Sequence, residues 1–224
     1  SIHALAFSPL YPDGPLAFGA GADDGAVRLY SPTQPQPLTL RGHVERVNTL
    51  EFHPSGRFLM TGGHDWNIRV WDLENGAPLL AQTGHGGAVR VARWHVDGGI
   101  MMSAGEDRDV RLWDFRLGKG ISVLRGHTAR VLDADWHRGG GVLATASGDN
   151  TVRLWDIRMQ RCAVVIPAHT DEVTSVRFDA SGEYLLTGGF DRVVRVWSVK
   201  DWDWKMVAEL KNHAKAVSSV SWCE

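Results

Sequence analysis

Ten histidines and ten tryptophans in a chain of 224 residues put metal binding and acid–base chemistry first among the chemistries to test. Imidazoles hold zinc when three or four ligands converge, usually from short spacings such as HxH or HExxH. Neither spacing occurs. His43, His85, His127, His169 and His213 stand 42, 42, 42 and 44 residues apart, and His53, His95 and His137 form a second series at the other end of the same units. One imidazole per unit does not converge on one ion, so no metal is expected. Nucleophilic chemistry has no better footing. There is no GxSxG elbow, and Ser147 of ATASGDN belongs to a strand and turn. Gly118-Lys119-Gly120 lacks the upstream Gly and the Ser or Thr of a phosphate loop. Gly139-Gly140-Gly141 reads as a turn between strands. The expectation is a non-enzyme with no catalytic residue and no cofactor.

The histidines gain a different meaning from what recurs with them. Trp71, Trp113, Trp155 and Trp197 are spaced by 42 throughout. Asp65, Asp107, Asp149 and Asp191 each stand six residues before that Trp, and Thr61, Ser103, Thr145 and Thr187 each stand ten before it. Four residue types locked in phase over four units mark an internal repeat. The quartets are His43/Thr61/Asp65/Trp71, His85/Ser103/Asp107/Trp113, His127/Thr145/Asp149/Trp155 and His169/Thr187/Asp191/Trp197. A buried His can donate to the Asp while the hydroxyl and the indole N–H extend the network, and buried polar groups persist only when bonded. The expected role is structural: the network pins the loops of each unit.

Those residues need elements to hold them, and each unit supplies four short strands. In the second unit VNTLEF, FLMTGG, IRVWDL and PLLAQT are apolar or β-branched runs separated by the turn sequences PSG, HDWN and ENG. No helical periodicity is sustained over ten residues. Four strands repeated every 42 residues predict an all-β fold, a β-propeller with one four-stranded blade per repeat. Composition agrees with a packed chain, at 43% hydrophobic. Lys and Arg number 24 against 26 Asp and Glu, a net charge of −2, which lacks the basic excess of a protein held to nucleic acid by phosphate contacts. No apolar run approaches the roughly 18 residues of a membrane span, and no secretory signal pattern opens the sequence. Cys162 and Cys223 form no CxxC, so two reduced thiols in an intracellular protein are expected rather than a disulfide framework.

GHTARVLDADW followed by ASGDNTVRLWDIR resembles a WD40 repeat, and the resemblance covers essentially the whole chain. Within that family GHVERVNTLEFHPSGRFL, SGDNTVRLWDIRMQRC, IPAHTDEVTSVRF and GEYLLTGGFD are similar to the WD-repeat component of the spliceosomal U4/U6 small nuclear ribonucleoprotein. Ile166-Pro167-Ala168-His169, in place of Gly-His, is a variant of that kind. Units are expected at about 1–41, 42–83, 84–125, 126–167, 168–211 and the start of a sixth at 212–224, within one propeller segment spanning 1–224. Five blades plus one further strand, Val217 to Trp222, are read as part of a seven-bladed ring, and such an open arc is expected to be poorly soluble. The first unit departs from the pattern: Ala20 stands at its hydroxyl position, Tyr30-Ser31 at Trp-Asp, and four extra residues fall around Tyr11-Pro12-Asp13-Gly14. The fifth carries Asp201-Trp202-Asp203-Trp204 in its third turn.

Binding is expected where positions vary between units on one loop face. These are Arg46, Arg90, Arg130 and Glu172 near the Gly-His pairs, with Asn48 and Leu132, and His64, Glu106 and Phe190 just before the network Asp. Trp66 lies on the same face. Arg and aromatic residues often anchor interfaces. The resemblance implies a nuclear, non-catalytic scaffold of the U4/U6·U5 tri-snRNP. Its implied partners are a companion protein gripping the U4/U6 RNA duplex and a cyclophilin-type prolyl isomerase, with U4/U6 snRNA as an indirect or secondary contact. A different WD40 adaptor, in ubiquitin ligation or chromatin, reading a peptide at the central pore, is the alternative.

Overall fold

The computed structural model describes residues 1–10, 18–200 and 204–222, which form twenty strands and no α-helix. They make five four-stranded antiparallel sheets in simple up-and-down order. The first holds β1 (Ile2–Phe7), β2 (Phe18–Ala22), β3 (Ala26–Ser31) and β4 (Gln34–Arg41), and the second β5 (Val47–Phe52), β6 (Phe58–Gly63), β7 (Ile68–Asp72) and β8 (Ala77–Gln82). The third holds β9 (Val89–Trp94), β10 (Ile100–Gly105), β11 (Val110–Asp114) and β12 (Lys119–Leu124), and the fourth β13 (Val131–Trp136), β14 (Val142–Ser147), β15 (Val152–Asp156) and β16 (Arg161–Ile166). The fifth holds β17 (Val173–Phe178), β18 (Tyr184–Gly189), β19 (Val194–Ser198) and β20 (Lys205–Leu210).

Burial explains the sequence pattern strand by strand. The second strand of each sheet is covered on both faces, as in the wholly buried VLATAS of β14, so it is apolar or small throughout. The fourth strand is the most exposed, and in β16 burial alternates residue by residue, because one of its faces meets solvent. Two compact units result, 1–107 with 111–121 and 108–110 with 122–224. In the first unit the core runs from sheet to sheet: Leu29 and Leu40 pack with Leu50, Phe52 and Trp71, and Met60 and Val70 pack with Val89, Trp94 and Trp113. In the second, Ala144, Leu154 and Ile166 pack with Val173, Val176 and Trp197.

Tight turns set the register. Gly98 and Gly182 have φ of +75° and +77°, and an added Cβ would fall 2.1 and 2.5 Å from the Nε2 of His53 and His137. Only glycine satisfies both the left-handed backbone and that approach. In the first sheet Phe7 pairs with Phe18, whereas in the second Phe52 pairs with Leu59. The extra residues of the first unit therefore lie in the first turn; Tyr11–Gly14 themselves are outside the described residues, as are Asp201, Trp202 and Asp203.

One expectation is corrected. Val217–Trp222 is not a strand. The first strand of each sheet is bonded to the second strand of that sheet, and Val217–Trp222 makes no such ladder among the described residues. The segment nevertheless docks on the fifth sheet: Val217 and Val220 are buried beside Leu186 and Val194. The Val220 N–H donates to Ser175 Oγ at 3.3 Å, and Trp222 Nε1 donates to the Arg177 carbonyl at 3.2 Å. The converse holds for the first sheet. Ile2, Leu5 and Phe7 are 62%, 54% and 67% exposed, whereas their counterparts Val47, Leu50 and Phe52 are 0%, 4% and 6% exposed under the neighbouring sheet.

Candidate functional site

Each quartet closes into a linear relay. In the fourth sheet Trp155 Nε1 donates to Thr145 Oγ1 at 2.8 Å, Thr145 Oγ1 lies 2.7 Å from His127 Nε2, and His127 Nδ1 lies 2.8 Å from Asp149 Oδ2. A neutral imidazole satisfies every bond with one proton order. Indole N–H donates to hydroxyl, hydroxyl to Nε2, and Nδ1–H to carboxylate. The other three repeat it: Trp71–Thr61–His43–Asp65 at 3.0, 2.9 and 2.9 Å, Trp113–Ser103–His85–Asp107 at 2.9, 2.7 and 2.8 Å, and Trp197–Thr187–His169–Asp191 at 3.0, 2.9 and 2.8 Å. The carboxylate also ties two loops together. Asp149 accepts from the backbone N–H of Thr128, beside its His, and of Thr151, in its own turn.

The electrostatics suit a neutral His against an ionised Asp. Burial, foremost, pushes the His127 and His169 imidazoles below their usual range even though Asp149 and Asp191 pull the other way. Burial alone would raise Asp149, but the His127 and Thr151 hydrogen bonds override it and hold the carboxyl far below the usual range. Asp65 and Asp191 are lowered against the same opposition from burial, Asp65 by His43, Asp191 by Arg195 and His169. The first sheet solves the same position differently. Tyr30 stacks on Phe18 with centroids 4.7 Å apart, Ala20 is buried, and the exposed Asp24 bonds Arg28.

Above the relays lie the loop-face residues, and they fall into two groups. Most of the charged ones are engaged within the chain. Arg46 Nε donates to Asn48 at 3.0 Å with His64 3.5 Å from its guanidinium, and Asn48 donates to the Val89 carbonyl at 2.9 Å. Arg90 pairs with Glu106 at 2.6 Å, and Arg130 with Glu172 at 2.9 Å. Leu132 is half-buried. The aromatic candidates stand out: Trp66 is 53% and Phe190 43% exposed, and His64 is exposed. Trp66 sits at φ 67° in the turn above Asp65, where Arg108, Asn150 and Arg192 occupy the same position in other sheets. Val44, 81% exposed beside His43, joins this face and was not singled out by type. Trp204 belongs elsewhere, packed against the core of the fourth and fifth sheets.

Sequence patterns also missed a set of clasps between neighbouring sheets. Carboxylates of Glu51 and Asp135 accept the backbone N–H of Trp94 and Phe178. His53 and His137 reach the Gly98 and Gly182 carbonyls, each at 3.2 Å. Buried Asp133 gathers Ser175 Oγ, the Val176 N–H and Arg177 at 2.8, 3.2 and 2.6 Å. The acids at 51 and 135 recur two units apart, a signal visible only at twice the basic period. Among the described residues no group of three His, Cys, Asp or Glu side chains is placed to hold a metal, and no helix is long and apolar enough to cross a membrane.

Up-and-down four-stranded sheets, four of the five locked by a buried indole-to-carboxylate relay, define blades of the β-propeller class. The model of the "WD domain, G-beta repeat" matches residues 35–72, 76–114, 118–156 and 160–198, and the chain belongs to the WD40 family. Relatives are varied. The chain is 35% identical over 65 residues to Striatin-4 of Homo sapiens, covering 29% of this chain and 9% of that protein. It is 34% identical over 62 residues to the U4/U6 small nuclear ribonucleoprotein PRP4 of Saccharomyces cerevisiae, covering 28% and 12%. To the COMPASS component SWD1 of the same yeast it is 33% identical over 58 residues, covering 24% and 14%. The matched stretches thus span a small part of each relative's length.

Proposed function

We propose that this chain is a non-catalytic scaffold for protein–protein contacts, and that it serves the U4/U6 and U4/U6·U5 small nuclear ribonucleoproteins in pre-mRNA splicing, in the nucleus. The observation that carries the scaffold reading is the pairing of exposed Trp66, His64 and Phe190 with loops that the relays hold rigid. Rigid loops lose little conformational freedom on docking, so aromatic side chains presented on them make economical anchors. Near-neutral net charge favours protein over RNA as the primary partner, with the duplex-binding companion protein and a cyclophilin-type isomerase as the partners in view. Similarity to PRP4 supports the splicing assignment. Comparable similarity to Striatin-4 and SWD1 supports a second reading, a scaffold of a different assembly. Tagged full-length protein purified from nuclear extract should bring down U4 and U6 snRNA together. Recovery of neither refutes the splicing assignment while leaving the scaffold reading to the Trp66 and Phe190 variants below.

A further inference from the structure

Two pairs of neighbouring sheets share one frame but are closed differently at the end away from the relays. Between the second and third sheets, within the first compact unit, the rings of His53, Phe58, Trp94 and Phe115 fill the groove. Phe115 lies 5.0 Å, centroid to centroid, from both Phe58 and Trp94. The Arg57 guanidinium stands 5.4 Å over the Phe58 ring and pairs with Asp72 and Glu74 at 3.4 and 3.1 Å. Two units further on, between the fourth and fifth sheets, the frame persists. His137 meets Phe178 edge-on at 5.3 Å and keeps its clasp on the Gly182 carbonyl. The filling is gone: Val142 and Val199 stand in place of Phe58 and Phe115, and Gly141 in place of Arg57. What remains is a groove of about 430 Å³ lined by His137, Val142, Asp156, Arg158, Val199 and Trp204, with glycines between them. That is within the roughly 300–1,000 Å³ of ligand pockets. A Cβ added at Gly141 meets no atom within 4 Å. Asp156, the counterpart of Asp72, accepts the Met159 N–H at 3.0 Å and has no ion pair among the described residues.

We propose that this groove binds a partner segment carrying an arginine beside a phenylalanine. The ring enters between Val142 and Val199 against His137, and the guanidinium settles on Asp156. The chain's own Arg57-Phe58 identifies the occupant, because the frame that holds that pair is the frame left open here. Charge agrees. A half-buried carboxylate without a counterion is best matched by a guanidinium, which pairs with it and lies over an aromatic face at the same time. Arg158 is exposed on the rim, where the second sheet has Glu74, and suits a carboxylate next to that pair in the partner. Trp204 adds an aromatic wall, packed on the core of the fourth and fifth sheets. The groove lies at the end of these two sheets opposite their relays, so its occupancy is independent of what the loop face binds.

Fluorescence anisotropy of labelled peptides on the full-length protein tests it. The probe is Ser-Gly-Arg-Phe-Leu, a copy of residues 55–59, and the control is Gly-Gly-Gly-Val-Leu, a copy of residues 139–143. The probe should bind about tenfold more tightly than the control, or better. Asp156→Asn should weaken the probe about threefold while leaving the control unchanged. Gly141→Arg/Val142→Phe rebuilds the filled groove and should abolish probe binding, with a melting temperature equal to or above that of the unsubstituted protein. Should that variant fail to fold, Val199→Phe closes the groove from the other sheet and is read the same way. Equal binding of the two peptides overturns the proposal, and so does probe binding that survives the filled groove. Probe binding that appears only in Trp202→Ala overturns it as well, since an aromatic residue of the chain itself then competes for the groove.

Discussion

Asp149→Ala removes the acceptor at the end of one relay and leaves everything else in place. The side chains of His127 and Asp149 are 0% and 7% exposed, so no water replaces the carboxylate at Nδ1. One stranded buried donor costs about 1–3 kcal/mol. The Thr128 and Thr151 N–H groups lose the same acceptor, and Thr128 is exposed enough for water to compensate in part. Together the loss should be roughly 3–5 kcal/mol. With a slope of about 2 kcal/mol per M urea, the unfolding midpoint should fall by about 1.5–2.5 M, read by tryptophan fluorescence. Asp149→Asn keeps one oxygen facing His127 and should lose less than half as much. Asp24→Ala is the internal control: the same repeat position, with Arg28 as its side-chain partner and no relay behind it, should leave the midpoint unmoved. An unchanged midpoint for Asp149→Ala, or an equal fall for Asp24→Ala, would show that the relay does not hold the sheet.

Other perturbations separate stability from recognition. Thr145→Val is nearly isosteric but unpairs the Trp155 indole and His127 Nε2 together, so denaturation should show a loss of about 2–5 kcal/mol. Gly98→Ala forces a Cβ against His53 at a left-handed backbone position and should cost about 2 kcal/mol or more in the same assay. Trp66→Gly relieves a bulky residue at φ 67°; stability should hold or rise by up to about 1 kcal/mol, while pull-down of partners by Trp66→Gly/Phe190→Ala falls sharply. Stability should also depend on pH in one direction. His127 and His169 are held neutral when folded, so the unfolded chain takes up their protons first and stability falls as pH drops below about 6.5. Asp65, Asp149 and Asp191 contribute fully above about pH 4 and lose that contribution as pH falls below it, steepening the decline. A urea midpoint that rises between pH 7 and 5 contradicts this.

What was legible in the sequence is what each repeat must restate. β5 through β8 lie within a residue or two of VNTLEF, FLMTGG, IRVWDL and PLLAQT, because turn residues and strand runs recur at fixed phase. The relays were legible for the same reason: a buried imidazole needs all its partners in every unit. Val217–Trp222 shows the limit. Its pattern is that of a first strand, but a strand is a pairing, and burial alone gives it only an extended path. Arg46, Arg90 and Arg130 show another, since their partners Asn48, Glu106 and Glu172 follow no shared spacing. Asp133 acts across sheets in a single place, so nothing periodic announces it.

The matched repeats and the sheets are out of step. Residues 35–72 span β4 to β7, and 76–114 span β8 to β11. Each duplicated module therefore hands its leading strand to one sheet and its other three to the next. Excising residues 35–76 would splice β3 onto β8, and excising 42–83 would splice Arg41 onto Gly84-His85; either product is again a series of whole four-stranded sheets. A gene encoding such a chain can gain or shed modules wherever the crossover falls, without ever having to invent a new joint.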